Sequence, residues 1–586
     1  MRGSRIPGLI LAGILVISIA APAAADSRTP LAGHTPDFAR HGHRLGEADP
    51  AQTMDVTLWL QPQAGLDALA AAVTDPSSPQ FDKFLSPEQV TDQFAPSPAT
   101  YRQVESYLRA QGLHVTDEAA NRMYIAASGT AAQVESAFAV SLGQYQVGGQ
   151  TVVANDGDPS LPAALAGAVA AVGGLDGAAA AHPNVQPRDS NHPAPHQDAL
   201  CDGVAPSGTP GYVPCPYTPQ TLAAATGLGH VGASGAQQTI AIVDAYGSPT
   251  LVPDLGAFDA TFGLQGARLR QVGRTTTSND PNAGVLGWQV ETTLDVEWAH
   301  AFAPAAPIDL YVAPNANDGP LFRAVDQIVA TRAAHLISLS WDDYEAALPT
   351  AELHALNEIF AAAAVEGIGV AVAAGDCGDE SSAFCGAGVT TVDFPASSPW
   401  VTAVGGVSLL PGKPVTPWGS SICVQTQVVD EGLPACPASI FEYGGGGGIS
   451  STFAAPIWQA GKTARSLPDI SLDADPYTGA WVAFRGQYGA VGGTSLAAPT
   501  FTGVMALADQ VARRPHGLAT PWLYLRGGGA IHDVLARTDS ARFAESSGNV
   551  DLIGFGSDQG LTAGPGWDDA TGLGFPDGAQ LINAIK

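Results

Sequence analysis

Charged residues are scarce in this sequence, at 14% of its 586 positions, and basic ones are scarcer still, with 25 Lys and Arg against 55 Asp and Glu. A formal net charge of -30 argues against nucleic acid as a partner, because phosphates need compensating cations. It fits a protein that works in acid, where many carboxylates are protonated and their repulsion is relieved; a merely acidic or halotolerant surface fits as well. Apolar residues are not scarce: at 45% they exclude general disorder and permit a large core. Beyond the first two dozen residues no run is long and apolar enough to span a bilayer, so no membrane partner is expected. Six cysteines occur, none with CxxC spacing or a nearby His pair, which argues against a zinc site. They fall as three pairs of near neighbours, Cys201 with Cys215, Cys377 with Cys385 and Cys423 with Cys436, and adjacency suggests three local disulfides in an exported chain.

The amino terminus carries the export signal. Arg2 and Arg5 precede an apolar run from Leu9 to Ala21, which ends in Ala23, Ala24 and Ala25. Such a pattern is a signal peptide, 1–25, and implies a secreted, extracellular protein. Residues 26–176 alternate strand-like runs (Val56 to Leu60, Met123 to Ala126) with helical ones (Pro98 to Gln111, Ala131 to Phe138), a compact α+β unit. Tyr101, Val104, Tyr107 and Leu108 recur at helical spacing as core positions. Residues 177–199, rich in Pro, His, Ala and Asn, have the composition of an exposed linker where a precursor is cut. From there to residue 586, β-branched runs (Thr239 to Val243, Ile308 to Val312, Leu336 to Ser340, Ile368 to Ala373, Trp400 to Val404) alternate with helical segments. That rhythm predicts an α/β fold, a parallel sheet with helices on both faces and ligands at the carboxyl ends of its strands.

Three segments carry chemistry. GGTSLAAP, Gly492 to Pro499, precedes an apolar helical stretch, so Ser495 sits at a helix amino terminus whose free N–H groups can hold developing negative charge. A helix cap would use the same residue types, but Gly-Thr-Ser followed by Ala-Pro resembles the nucleophile segment of subtilisin-like peptidases. A subtilisin triad needs a His in an HGT-like segment, and none of the 13 His has those neighbours. A carboxylate is the alternative base. VETTLDVEWAH, Val290 to His300, sets Glu291 and Asp295 four residues apart on one face of an otherwise apolar helix. Two like charges so close favour a shared proton and a coupled titration. In AVAAGDCGD, Asp376 follows a buried-type strand, where a protonated carboxyl could donate to an oxyanion.

Taken together these segments resemble the sedolisin, or serine-carboxyl peptidase, family, which includes kumamolisin-like enzymes and tripeptidyl-peptidases. FDKFLSPEQV and GTAAQVESAFAVSL resemble its activation prodomain, and YTPQTLAAATGL its mature amino-terminal region. SLSW, FPASSPWVTAVGG and PDISLDADPYTG extend the match. The resemblance implies a subtilisin-like sheet after an α+β prodomain, with Ser495 as nucleophile, Glu291 as general base and then acid, Asp295 as its partner and Asp376 as oxyanion stabiliser. It implies protein or peptide substrates, the chain's own prodomain as intramolecular inhibitor, and a monomer. Asp244, ending the strand Thr239 to Val243, could extend the carboxylate network. Asp342 stands where the family usually has Gly after the Trp of SxSW. The family also has one structural calcium ion, and AGPGWDDATGLG matches its GxGxD pattern. Asp533 and Asp568 would give carboxylates, and Val534, Gly564 and Gly566 carbonyls. With Glu and Asp near about 4.3 and about 3.9 when unperturbed, an acid optimum is expected. Endopeptidase and tripeptidyl-peptidase activity both remain open, the former favoured. A peptidase fold kept for binding alone predicts no activity, and an unrecognised His triad predicts a neutral optimum.

Overall fold

The computed structural model describes residues 27–147, 150–192, 216–229, 231–276, 283–410, 412–427, 435–537, 540–544, 550–554 and 558–586. The expected signal segment and Cys201 with Cys215 lie outside these residues, as do the side chains of Cys423 and Cys436. The Cys377–Cys385 disulfide is formed. Among the described residues no helix is long and apolar enough to cross a membrane.

The amino-terminal unit is built on an antiparallel sheet of β1 (Thr53–Leu60), β2 (His114–Glu118), β3 (Tyr124–Thr130) and β4 (Val169–Gly173), in the order β2-β3-β1-β4. Its helices start where the sequence supplies caps. In α2 (Pro87–Phe94) Ser86 and Gln89 form a capping box; α3 (Pro98–Ala110) has Ser97 as cap and Pro98 in its first turn; α4 (Ala131–Phe138) repeats the box with Thr130 and Gln133. Tyr101, Val104 and Leu108 of α3 are buried as their spacing predicts. Helix α1 (Leu66–Thr74), which precedes these three, packs on the second unit instead.

The second unit holds seven parallel strands in the order β6-β7-β5-β8-β10-β11-β12. These are β5 (Ile240–Ala245), β6 (Leu269–Val272), β7 (Ile308–Ala313), β8 (Leu336–Leu339), β10 (Gly369–Ala373), β11 (Thr402–Ser408) and β12 (Ile470–Asp473). Thr416–Pro417 adds an antiparallel edge to β11. Side chains alternate across the sheet: Ala241 and Val243 enter one core, Ile240 and Ile242 the other. The first core holds α6 (Asp318–Thr331) and α7 (Thr350–Glu366), and Trp59, Leu66, Ala70 and Val73 of the amino-terminal unit join it. The second holds α5 (Val290–Phe302) and α8 (Thr494–Ala512), which pack on each other; all but one residue of α5 is buried, carboxylates included. A short strand, β9 (Trp341–Tyr344), leaves the carboxyl end of β8.

Residues 177–199 are not an exposed linker as far as they are described. Ala181, Asn184 and Val185 are buried. His182–Pro183 pairs antiparallel with β9, and Gln186–His192 pairs antiparallel with β13 (Gln487–Gly492). The physical reason is backbone pairing: a segment with few apolar side chains is covered because its N–H and C=O groups complete two strand edges. Contacts between the units run alongside it. Asn121 donates to Asp326 at 2.8 Å, Arg323 to Thr57 at 2.6 Å, and Arg514 meets Asp82 at 2.8 Å.

Candidate active site

Helix α8 begins without a side-chain cap: Gly493 is its N-cap residue, at φ 97°. Its first N–H groups are therefore free for other partners. The Thr494 N–H and hydroxyl both donate to Asp376 Oδ1, at 2.7 and 2.9 Å. The Ser495 N–H donates to the carbonyl oxygen of Asn184 at 3.2 Å. A Cβ on Gly493 would run into that carbonyl oxygen and stand 2.7 Å from Asp376 Oδ2, so only glycine allows both to approach.

The Ser495 hydroxyl, fully buried, donates to Glu291 Oε2 at 2.9 Å and also lies 3.2 Å from the Ser340 carbonyl. Glu291 and Asp295 project from one face of α5 and are wholly buried, and two carboxyls so placed favour sharing a proton over carrying two charges. Asp295 Oδ1 accepts from the Ser340 hydroxyl at 2.8 Å. Burial, then the Asp295 and Asp244 charges, hold Glu291 well above the usual carboxylate range; burial and Asp244 do the same to Asp295. Asp244, at the carboxyl end of β5 and also buried, is pushed up to about 7 by desolvation. Asp376 lies just beyond β10; burial raises it to about 7 against the opposing pull of the Thr494 bonds. Its Oδ1 is taken by Thr494, so the proton it keeps in acid belongs on Oδ2.

All four catalytic candidates from the sequence thus converge from α5, α8 and the loop after β10, with Asp244 behind them. Sequence reasoning missed Ser340, although it lies in the SLSW segment, and Thr494, whose signal was only its place beside Ser495. It also missed the occupant of the cleft. The Asn184 N–H donates to the Ser340 carbonyl at 3.1 Å, Ala181 N–H to the Ala316 carbonyl at 2.9 Å, and Ala180 bridges Asn317. Gln186 pairs with Gly492 beyond Ser495. The chain therefore runs past the serine as an extended peptide, with the Asn184 carbonyl on the Ser495 N–H.

Two segments meet at the carboxyl-terminal oxygen donors, the loop Gly564 to Asp568 and Asp533 with Val534. Asp568 Oδ2 accepts from Gly564 N–H at 2.8 Å and Asp533 Oδ2 from Gly566 N–H at 3.0 Å, while Val534 is buried beside Asp533. Burial raises the Asp568 carboxyl. Two carboxylates and the carbonyls of a bent glycine loop are the donor types a hard cation takes. Among the described residues no group of three or more His, Cys, Asp or Glu forms a metal cluster, so any ion here would depend on the carbonyls.

Comparison with known proteins identifies the two units of the chain. Residues 40–178 match the family model "Pro-kumamolisin, activation domain", and residues 298–542 match "Subtilase family", which takes in Asp376 and Ser495 but starts after Glu291 and Asp295. The chain is 30% identical to kumamolisin of Bacillus sp. (strain MN-32) over 580 residues, covering 96% of each chain. It is 31% identical to sedolisin of Pseudomonas sp. (strain 101) over 544 residues, 91% of this chain and 86% of that one. The solved structure of Pseudomonas sedolisin, a serine-carboxyl proteinase complexed with pseudo-iodotyrostatin, superposes with a TM-score of 0.50 at 28% identity, covering 64% of this chain and 99% of that one.

Proposed function

This chain belongs to the sedolisin, or serine-carboxyl peptidase, family, and from that premise we propose that it is a secreted, acid-acting endopeptidase whose catalytic group is Ser495 with Glu291, Asp295 and Asp376. The observation that carries the reading is the Ser495 hydroxyl at 2.9 Å from Glu291 Oε2 beneath a seated peptide bond. Ionised Glu291 takes the serine proton as Oγ attacks the carbonyl carbon. The charge that develops on the carbonyl oxygen is met by the Ser495 N–H and by the proton on Asp376 Oδ2. Glu291 then protonates the leaving amine, and water cleaves the acyl-enzyme by the same route in reverse. Asp295, with Asp244 behind it, shares the proton, so the cluster never carries three charges in a site closed to water.

Made with an activation prodomain, the enzyme is restrained by its own chain. In our reading residues 1–25 are the signal peptide, 26–176 the prodomain and 177–199 the segment cut at maturation, leaving a peptidase domain at about 200–586. The seated bond is Asn184–Val185, so the first acid-released fragment is expected to begin at Val185, and later trimming removes the rest. Amino-terminal sequencing of purified precursor sampled over minutes at acidic pH checks this; a first cut elsewhere in 177–199 would mean that the seated register is not the productive one. Endopeptidase activity is favoured because residues 180–184 are all engaged on the amino side of that bond, where a tripeptidyl-peptidase cleft would end after three.

One calcium ion is the expected structural ligand, held by Asp533 and Asp568 with the carbonyls of Val534, Gly564 and Gly566. Bound there it would clamp the loop and take no part in the reaction. Chelation is expected to lower the Tm of the mature enzyme, calcium to restore it, and Asp568→Asn to blunt the response to both. A Tm indifferent to chelator would remove the site.

A further inference from the structure

The segment in the cleft also shows what the site reads on the amino side of the cut. Three main-chain features fix Asn184 as the residue that supplies the attacked carbonyl: its N–H on the Ser340 carbonyl, its C=O on the Ser495 N–H, and the antiparallel pairing of His182 with Asp342 and Pro183 with Trp341. Its side chain is not free either. The Asn184 amide Nδ2 donates to Asp342 Oδ2, and both residues are buried. Asp342 is the second residue of β9, so the strand that pairs with the seated segment also carries the carboxyl that meets its side chain. No main-chain requirement of catalysis demands a carboxyl there.

We propose that Asp342 is a specificity-determining residue of this peptidase, and that it selects substrates carrying a carboxamide, asparagine first, on the residue whose carbonyl is attacked. The inference rests on the peptidase reading given above. A carboxamide offers two donors and an acceptor, and a carboxyl in acid offers an acceptor and a donor, so the pair is complementary in both directions. An aliphatic side chain of the same length would bury Asp342 with no partner, which is the circumstance in which hydrogen-bonding sites discriminate most. Glu380, Asp376 and Asp393 stand close enough to act on Asp342 electrostatically. An acidic side chain would add a further charge to this cluster as pH rises and its members ionise, which separates the amide from its isostere Asp. The His182 ring, stacked at 5.8 Å on Tyr344, and Pro183 present the amide to the pocket at a fixed register.

The test uses the mature enzyme and internally quenched peptides of the form Ala-Ala-His-Pro-X-Val-Gln, with X as Asn, Gln, Leu or Asp, assayed in acid and at the upper end of the active range. The expected result is kcat/KM about 10 to 100 fold higher for Asn than for Leu, with Asp falling further behind as pH rises. In Asp342→Leu the Asn-to-Leu ratio should drop to about 1 or invert, while Asp342→Asn, which keeps hydrogen-bonding capacity, should retain part of it. Equal cleavage of Asn and Leu peptides by the parent enzyme would overturn the proposal and leave the peptidase reading standing. So would an unchanged ratio in Asp342→Leu, or an effect of that substitution confined to the rate of precursor processing. No cleavage of any peptide at any pH would overturn both readings.

Discussion

Ser495→Ala and Glu291→Gln are each expected to lower kcat by about 10,000 fold or more, and the Ser495→Ala precursor is expected to stay intact when held at acidic pH. The serine hydroxyl becomes a nucleophile only if its proton has somewhere to go, and among the described residues its side-chain acceptor is Glu291, at 2.9 Å. Gln keeps the size and the hydrogen bond but cannot accept the proton. Removing both groups should therefore cost little more than removing either, as for residues that act as a unit. Steady-state hydrolysis of an unstructured protein substrate and gel analysis of the precursor read these effects. A Ser495→Ala precursor that matures at the normal rate in a protease-free preparation would exclude self-processing, and an active Glu291→Gln enzyme would remove the carboxylate mechanism.

Asp376→Ala and Asp376→Asn should each cost about 100 to 1,000 fold in kcat, with KM little affected, because the interaction strengthens only as charge develops on the attacked oxygen. Ala removes the donor. Asn keeps one in principle, but its oxygen must face Thr494 and its amide must find the exact direction of the lost proton, so recovery is partial. The pH dependence follows from the sign of the shift. Burial raises Asp376 to about 7, so the donating proton is present below that value and is lost as pH rises through it. On the acid side Glu291 must be ionised, and burial with Asp295 and Asp244 nearby moves that limb upward from the ordinary carboxylate value. The kcat profile should be bell-shaped, and Asp376→Ala should lose its alkaline limb while keeping the acid one. An alkaline limb that survives the substitution would assign it to another group.

Much of the fold could be read from pattern because its elements obey local rules. Ala131–Phe138 runs between the expected residues, since Thr130 and Gln133 form their box from sequence neighbours alone. Ile308–Ala313, Leu336–Leu339 and Gly369–Ala373 lie within a residue or two of the expected runs, as parallel strands covered on both faces are apolar throughout. Asp376 was recognisable because it follows a glycine just past such a strand, and Ser495 because it sits in a Gly-Thr-Ser segment at the start of an apolar helix.

The segment 177–192 could not be read that way. Its composition is that of a loop, and its burial comes from pairing with β9 and β13, strands distant in sequence. Sequence by itself determined the residue types for an acid serine peptidase, their placement at strand and helix ends, and the α/β scaffold, because these depend on local periodicity and motif. Tertiary structure alone decided that Asp295 reaches Ser340, that Asp376 accepts from Thr494, and that Asp342 holds the Asn184 amide. Those are contacts between segments dozens to hundreds of residues apart, and no local preference of the chain encodes them.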